Sequence, residues 1–252
     1  MPILLIIIIF SVLSGVLSLI GGVALLARAH WVNKFSIHFV SFAVGALLAT
    51  AFLDLLPEAL EMGEGQTQNL LLVALGGIVV FFILESLILK FHPHHHEDDS
   101  EIHHHATPTL LLVGDTVHNF IDGAVLAAAF LVNVPLGVVT ALAVAAHELP
   151  QEISDFSVMI HHGWARKKVF FANFYSSLAN VAGALVVFFA RGKLEPFLPQ
   201  LLAVTAGIFI YIAAADLIPE ISHEHRRDKS SHVVGLLLLG ILAVGVLRYY
   251  LE

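Results

Sequence analysis

Eight long apolar stretches, separated by polar breaks, organise this sequence: residues 3–27, 36–60, 69–91, 108–132, 136–160, 168–190, 197–220 and 232–250. Each is close to the roughly 20 residues that a helix needs to cross about 30 Å of hydrocarbon. The pattern predicts an all-α integral membrane protein of eight transmembrane helices, with 1–252 forming a single transmembrane domain. The run 1–27 is too long for a signal-peptide core and has no basic segment before it, so it is read as the first membrane helix. One connection is long, polar and His-rich: residues 92–107.

Composition agrees. Hydrophobic residues make up 58% of the 252, and only 13% are charged; mean hydropathy is +0.88. A soluble domain carries about a quarter charged residues, so a bilayer is the expected partner. The formal net charge is -8, and basic residues are too sparse to track a phosphate backbone, which argues against nucleic acid. There is no cysteine, so disulfides and thiolate metal sites are excluded. Sixteen histidines are a high number for a chain so poor in other polar residues.

Basic residues set the expected orientation. Arg28, Lys34, Lys90, Arg166, Lys167, Lys168, Arg226, Arg227 and Lys229 fall on alternate connections, leaving only Arg191, Lys193 and Arg248 for the other side. The richer side is expected to be cytoplasmic. The loop 92–107 then lies in the cytoplasm, and both termini lie outside a cell membrane, plasma or inner.

An internal repeat is visible. Gly45, Ala51, Asp54, Leu55, Pro57 and Glu58 in the second stretch match Gly207, Ala213, Asp216, Leu217, Pro219 and Glu220 in the seventh, each pair 162 residues apart. The two stretches run in opposite directions, so an inverted repeat is expected, relating helices 1–3 to helices 6–8 around helices 4 and 5. Secondary transporters commonly follow that plan.

The fourth stretch carries Asp115, His118, Asn119 and Asp122; the fifth carries His147, Glu148, Gln151, Glu152 and Asp155. Ionisable residues inside a membrane are costly and usually functional. His118 and Asp122 lie about 15–21 Å along their helix from Pro108 at ~1.5 Å per residue, near mid-bilayer. Residues four apart stack on one helix face, so His118 stacks over Asp122, His147 over Gln151 and Glu148 over Glu152. Imidazole, carboxylate and amide oxygen together suit zinc and neighbouring divalent metals. Asp122, Glu148 and Glu152 have no Lys or Arg on either helix to balance them, and a divalent cation would do so. Pro150 is expected to kink the fifth helix beside His147. The competing reading is a structural polar network that joins two helices.

The stretches His118-Asn119-Phe120-Ile121-Asp122-Gly123 and His147-Glu148-Leu149-Pro150-Gln151-Glu152 resemble the paired signatures of the ZIP family of zinc and iron transporters. Ile153-Ser154-Asp155-Phe156 and Ala206-Gly207-Ile208-Phe209-Ile210-Tyr211 resemble its LIV-1 branch. The resemblance covers the whole chain. It implies a two-metal centre, with His118, Asp122, His147 and Gln151 around one ion and Asn119, Asp122, Glu148 and Glu152 around the other. It also implies a homodimer that moves metal into the cytoplasm, with zinc as the first candidate and iron, manganese and cadmium as alternatives. Two departures stand out. Gln151 replaces the second histidine of many members, and the sixth stretch offers only Asn173, Ser176, Ser177 and Asn180 where some members add a carboxylate.

An enzyme is not expected. His147-Glu148-Leu149-Pro150-Gln151 falls one residue short of the zinc-protease H-E-x-x-H, and an ATP-driven pump lacks its phosphate loop. The loop 92–107, with seven histidines and four acids, reads as a metal collector or as a solvated linker. Asp54, Glu58, Asp216 and Glu220 read as cation attractors at the two ends of a pathway or as polar helix ends. His161 and His162 read as exit-path or interfacial residues, and Glu85 as structural.

Overall fold

The computed structural model of the chain describes residues 2–90, 106–219, 221–222 and 231–251; the side chains at 28–36, 88–90, 106–107, 110 and 231 lie outside that description. The expected loop 92–107 therefore falls outside it except for its last two positions, and so do Glu220, Arg226, Arg227 and Lys229.

The described chain is helical, with no strand. Its helices are α1 (Ile3–Ala49), α2 (Leu56–Met62), α3 (Thr67–Lys90), α4 (Ala106–Val132), α5 (Val134–His161), α6 (Arg166–Leu194), α7 (Leu198–Tyr211) and α8 (Ser231–Leu251). By length and composition six described stretches can cross a membrane: Ile3–Ala27, Ile37–Met62, Thr67–Leu87, Leu111–Val132, Arg166–Leu217 and His232–Leu251. The sequence pattern led us to expect eight. The difference has two sources. α5 carries Glu148, Glu152 and Asp155 in its second half, which dilutes its apolar character. The 52-residue stretch Arg166–Leu217 contains both the sixth and the seventh expected segments, which meet at a 3-10 turn, Glu195–Phe197.

The two halves of α1 run in opposite senses along α5. Gly21 lies against Leu149 and Ile153, and Gly22 against the ring of Phe156; toward the N-terminus, Phe10 reaches Phe130 at 5.2 Å, whose ring covers Gly137. Later in the chain Phe42 borders Ala145 and Ala146, and Glu58 accepts a hydrogen bond from Asn133 at 3.4 Å. Asn133 also caps α5, its side chain accepting from the Leu136 N–H at 2.7 Å, which occupies one of the N–H groups that a helix start leaves unpaired. At the far end Gly163, at φ 82°, closes α5, with the Trp164 N–H reaching the Met159 carbonyl at 3.1 Å, a turn that favours glycine. Between these ends α5 stays helical through Pro150.

Glycines let the helices approach backbone to backbone, the usual way membrane helices pack without a hydrophobic driving force between them. A Cβ on Gly123 would sit 1.7 Å from the Asn180 carbonyl oxygen, and one on Gly183 would sit 1.9 Å from that of Phe120, so α4 and α6 are locked together. A second set joins the second half of α1 to α8, and α3 to α7. Gly45 abuts the Leu237 carbonyl and Gly240 that of Phe42; Gly207 abuts the Ala74 carbonyl and Gly77 that of Val204.

Two π-helical turns interrupt the helices, Thr50–Leu55 after α1 and Ile212–Leu217 after α7. In the first the Leu56 N–H reaches the Ala51 carbonyl; in the second the Ile218 N–H reaches that of Ala213. Each turn precedes a proline, Pro57 or Pro219, and corresponding positions are 162 residues apart. Such single-turn π segments concentrate at functional sites.

Gly183→Ala should lower the thermal unfolding temperature of the detergent-solubilised protein measurably, because overpacking of this kind costs about 1–3 kcal/mol. Gly76→Ala, where an added Cβ meets nothing within 4 Å, should leave it unchanged.

Candidate metal centre

The polar stripes of α4 and α5 face each other at the centre of the bundle. His147, Asp122 and Glu148 are 0–1% exposed, and Glu152 and Asn119 are equally buried. His118, half-buried, closes the group on the cavity side. The His118 Nε2 and His147 Nε2 atoms are 3.2 Å apart. Asp122 Oδ2 lies 3.2 Å from His147 Nε2 and 3.7 Å from His118 Nε2, and Glu148 Oε1 lies 3.6 Å from His118 Nε2. One ligand atom from each of these four residues falls within 4.8 Å of all the others.

These spacings have a chemical meaning. Zinc binds imidazole nitrogen and carboxylate oxygen at about 2.0–2.2 Å in tetrahedral geometry, which sets ligand atoms roughly 3.3–3.6 Å apart around the ion. The four distances run from 3.2 to 3.7 Å. His147 is also held in the correct tautomer. Its Nδ1 lies 3.0 Å from the Ala143 carbonyl, so that nitrogen donates and Nε2 turns its lone pair to the group, the arrangement typical of metal-bound histidine.

A second group adjoins the first: Asp115, Glu148 and Glu152 also bring one oxygen each within 4.8 Å. Glu148 is common to both. Asp115, one of the ionisable residues of the fourth stretch, accepts from Asn119 Nδ2 at its Oδ1 at 2.9 Å and at its carbonyl at 3.1 Å. That leaves the Asn119 Oδ1 without a hydrogen-bond partner among the described residues, as are both oxygens of Glu148 and of Glu152 and the Oε1 of Gln151. Unpaired buried oxygens on this scale are rare, and each calls for an explanation. A cation between them is the simplest.

The polar residues of α6 are mostly engaged in hydrogen bonds of their own, while both side-chain polar atoms of Asn180 are buried without a partner among the described residues. Ser176 shares a hydrogen bond with Thr116 at 2.9 Å, Asn173 donates to the Val169 carbonyl at 2.9 Å, and Ser177 donates to that of Phe174. Ser176 also reaches the carboxyl group of Asp115, a member of the second group.

A cavity of about 430 Å³ reaches the centre from one side, lined among others by Glu85, Asp115, His118, Gln151, Ser154, Asp155 and Asp216. Glu85, expected to be structural, accepts a hydrogen bond from the Tyr211 hydroxyl and also borders this cavity. The pairing joins α3 to α7 across a large sequence separation, so no local pattern announces it. On the opposite side lies a smaller cavity of about 80 Å³ lined by Asp54, Glu58, Glu61, Asn133 and Arg248 among others. Buried apolar residues, Leu55, Ala129, Val139, Ala143 and Phe209 among them, fill the space between this cavity and the histidines.

Comparison with known proteins gives the family. The family model described as "ZIP Zinc transporter" matches residues 3–109 and 92–248. The chain is 30% identical over 227 residues to Zinc transporter ZIP13 of Pongo abelii, covering 84% of this chain and 67% of that protein. It is 40% identical over 136 residues to Zinc transporter ZIP4 of Mus musculus, covering 52% of this chain and 20% of that one. It is 36% identical over 129 residues to Zinc transporter ZIP10 of Danio rerio, covering 50% of this chain and 15% of that one. Against the last two it therefore spans a fifth or less of the relative's length. The matched relatives include members of the LIV-1 branch. With a family model matched along nearly its whole length, the chain belongs to the ZIP zinc transporter family.

Proposed function

We propose that this protein carries divalent metal ions, zinc first, across a membrane into the cytoplasm, by alternating access to a site between α4 and α5. The observation that carries the proposal is the convergence of His118, Asp122, His147 and Glu148 at ligand spacing in a buried centre, with no Lys or Arg among the described buried residues. Asn119, Gln151, Glu152 and Asp115 complete the oxygen-rich side, and Asp122 and Glu148 are placed to serve two neighbouring ions. The amide oxygen of Gln151 is a harder ligand than an imidazole, which favours release and widens the range toward iron, manganese and cadmium.

The same reading takes the protein as eight spans in an inverted repeat. α5 is then a membrane helix in spite of its three carboxylates, and Arg166–Leu217 is two crossings. Several observations support the repeat. The π turns occupy equivalent positions before equivalent prolines. The glycine approaches are reciprocal: Gly45 on α8 matches Gly207 on α3, and Gly240 on α1 matches Gly77 on α7. The bias of basic residues supports both termini outside, and the family resemblance supports a homodimer.

Uptake of zinc, iron, manganese and cadmium into proteoliposomes, beside calorimetric binding, tests the site. His118→Ala and His147→Ala should each remove most zinc uptake, and Asp122→Ala should be at least as severe. Gln151→His should tighten zinc binding by about tenfold, the equivalent of 1.4 kcal/mol, and slow turnover. Wild-type binding and transport in all of these variants would return the centre to a structural polar network.

Orientation is open to direct measurement, because the chain contains no cysteine. A cysteine introduced at position 100 should react with a membrane-impermeant thiol reagent only from the cytoplasmic side. Deleting 94–105 should leave uptake largely intact, since the ligands lie elsewhere; complete loss of uptake in a well-folded deletion would make the loop part of the pathway.

A further inference from the structure

The two cavities end on opposite arms of the molecule, and their chemistry differs in one respect. At the smaller one, Arg248 of α8 reaches across to the π turn Thr50–Leu55. Its Nε lies 3.7 Å from Asp54 Oδ1, and its Nη1 donates to the Leu53 carbonyl. That carbonyl is available for a reason written in the sequence: its α-helical donor would be the N–H of residue 57, and Pro57 has none. Asp54 is 8% exposed, so its charge needs the guanidinium beside it.

At the larger cavity the equivalent turn carries Asp216, followed by Pro219. An offset of 163 residues, which takes Gly77 to Gly240, also takes Glu85 to Arg248. Where one end has a cation beside its aspartate, the other has a second carboxyl group, with the Tyr211 hydroxyl donating to it. Among the described residues no Lys or Arg lines the larger cavity, and four carboxyl groups do. The guanidinium draws the first end together; no such cation faces Asp216 among the described lining residues.

We propose that Arg248 is a latch. By tying α8 to Asp54 and to the Leu53 carbonyl, it holds the Asp54 end of the pathway shut over the apolar plug, and so biases the resting protein toward the arrangement open at Asp216. Arg248 is a positioning residue: it touches no metal and acts through the helix turn it clamps. The inference rests on the carrier and repeat readings proposed above.

The test uses two reporter cysteines in the full-length, detergent-purified chain without metal: Val139→Cys beneath the smaller cavity and Ser154→Cys on the larger one. Each is labelled with a small charged thiol reagent. Arg248→Gln should speed labelling at position 139 by about tenfold or more, the scale that a charge-assisted hydrogen bond supports, and should slow it at position 154. Asp54→Asn should do the same. Arg248→Lys, which keeps the charge but loses the forked donor, should fall between. The swap Asp54→Arg with Arg248→Asp should restore the wild-type pattern. Unchanged labelling at position 139 in both neutralised variants, with a monodisperse elution profile, would overturn the latch. So would a parallel rise at both cysteines, which would mean general loosening. Because metal is absent, these rates judge the latch alone; failure of wild-type proteoliposomes to take up any metal would instead end the carrier reading.

Discussion

Three carboxyl groups and an imidazole, those of Asp122, Glu148, Glu152 and His147, lie together where almost no solvent reaches them. Ionised groups in such surroundings are strongly destabilised unless an opposite charge or a full set of hydrogen bonds compensates them. The described helices supply neither in full, and much of the remaining architecture can be read from that debt. α4 and α5 must stand close enough for their stripes to share one centre. α4 must in turn be braced against α6, and the first half of α1 against α5, by glycine approaches that leave no room for drift. On the proposed reading a cation completes the centre, which makes affinity and stability two views of the same interaction.

The glycine approaches fall into two sets. One joins α4 to α6 and the first half of α1 to α5 and α6; the other joins the second half of α1 to α8 and α3 to α7. The proposed ligands all lie on members of the first set. Asp54 and Asp216, which line the smaller and the larger cavity, lie on the second. Between the two sets lie buried apolar contacts, such as those of Ala46 and Ala49 with Val139.

Most of the centre was legible in the sequence because its signals are local. His118 and Asp122, like Glu148 and Glu152, lie one helical turn apart, and an acid in an apolar helix is conspicuous. Helix identity was equally plain, but counting crossings was harder. The acids that make α5 interesting also make it a poor membrane helix by composition, and the short break at Glu195–Phe197 leaves α6 and α7 as one apolar run. What escaped the sequence was pairing between distant elements. Asp115 became part of a ligand group only through Glu148 and Glu152 across the interface. Glu85 and Arg248 gained meaning only once α3 met α7 and α8 met the first π turn.

The paired π turns also bear on history. A π turn arises when a helix absorbs one extra residue without changing what flanks it, and such an insertion is seldom reversed once neighbouring helices have fitted themselves to the bulge. Here the bulge occupies matching positions, Thr50–Leu55 and Ile212–Leu217. On the repeat reading, the extra residue was already present in a three-helix ancestor before its gene was duplicated. On the same reading, Glu85 and Arg248 are positions where the two copies differ in charge.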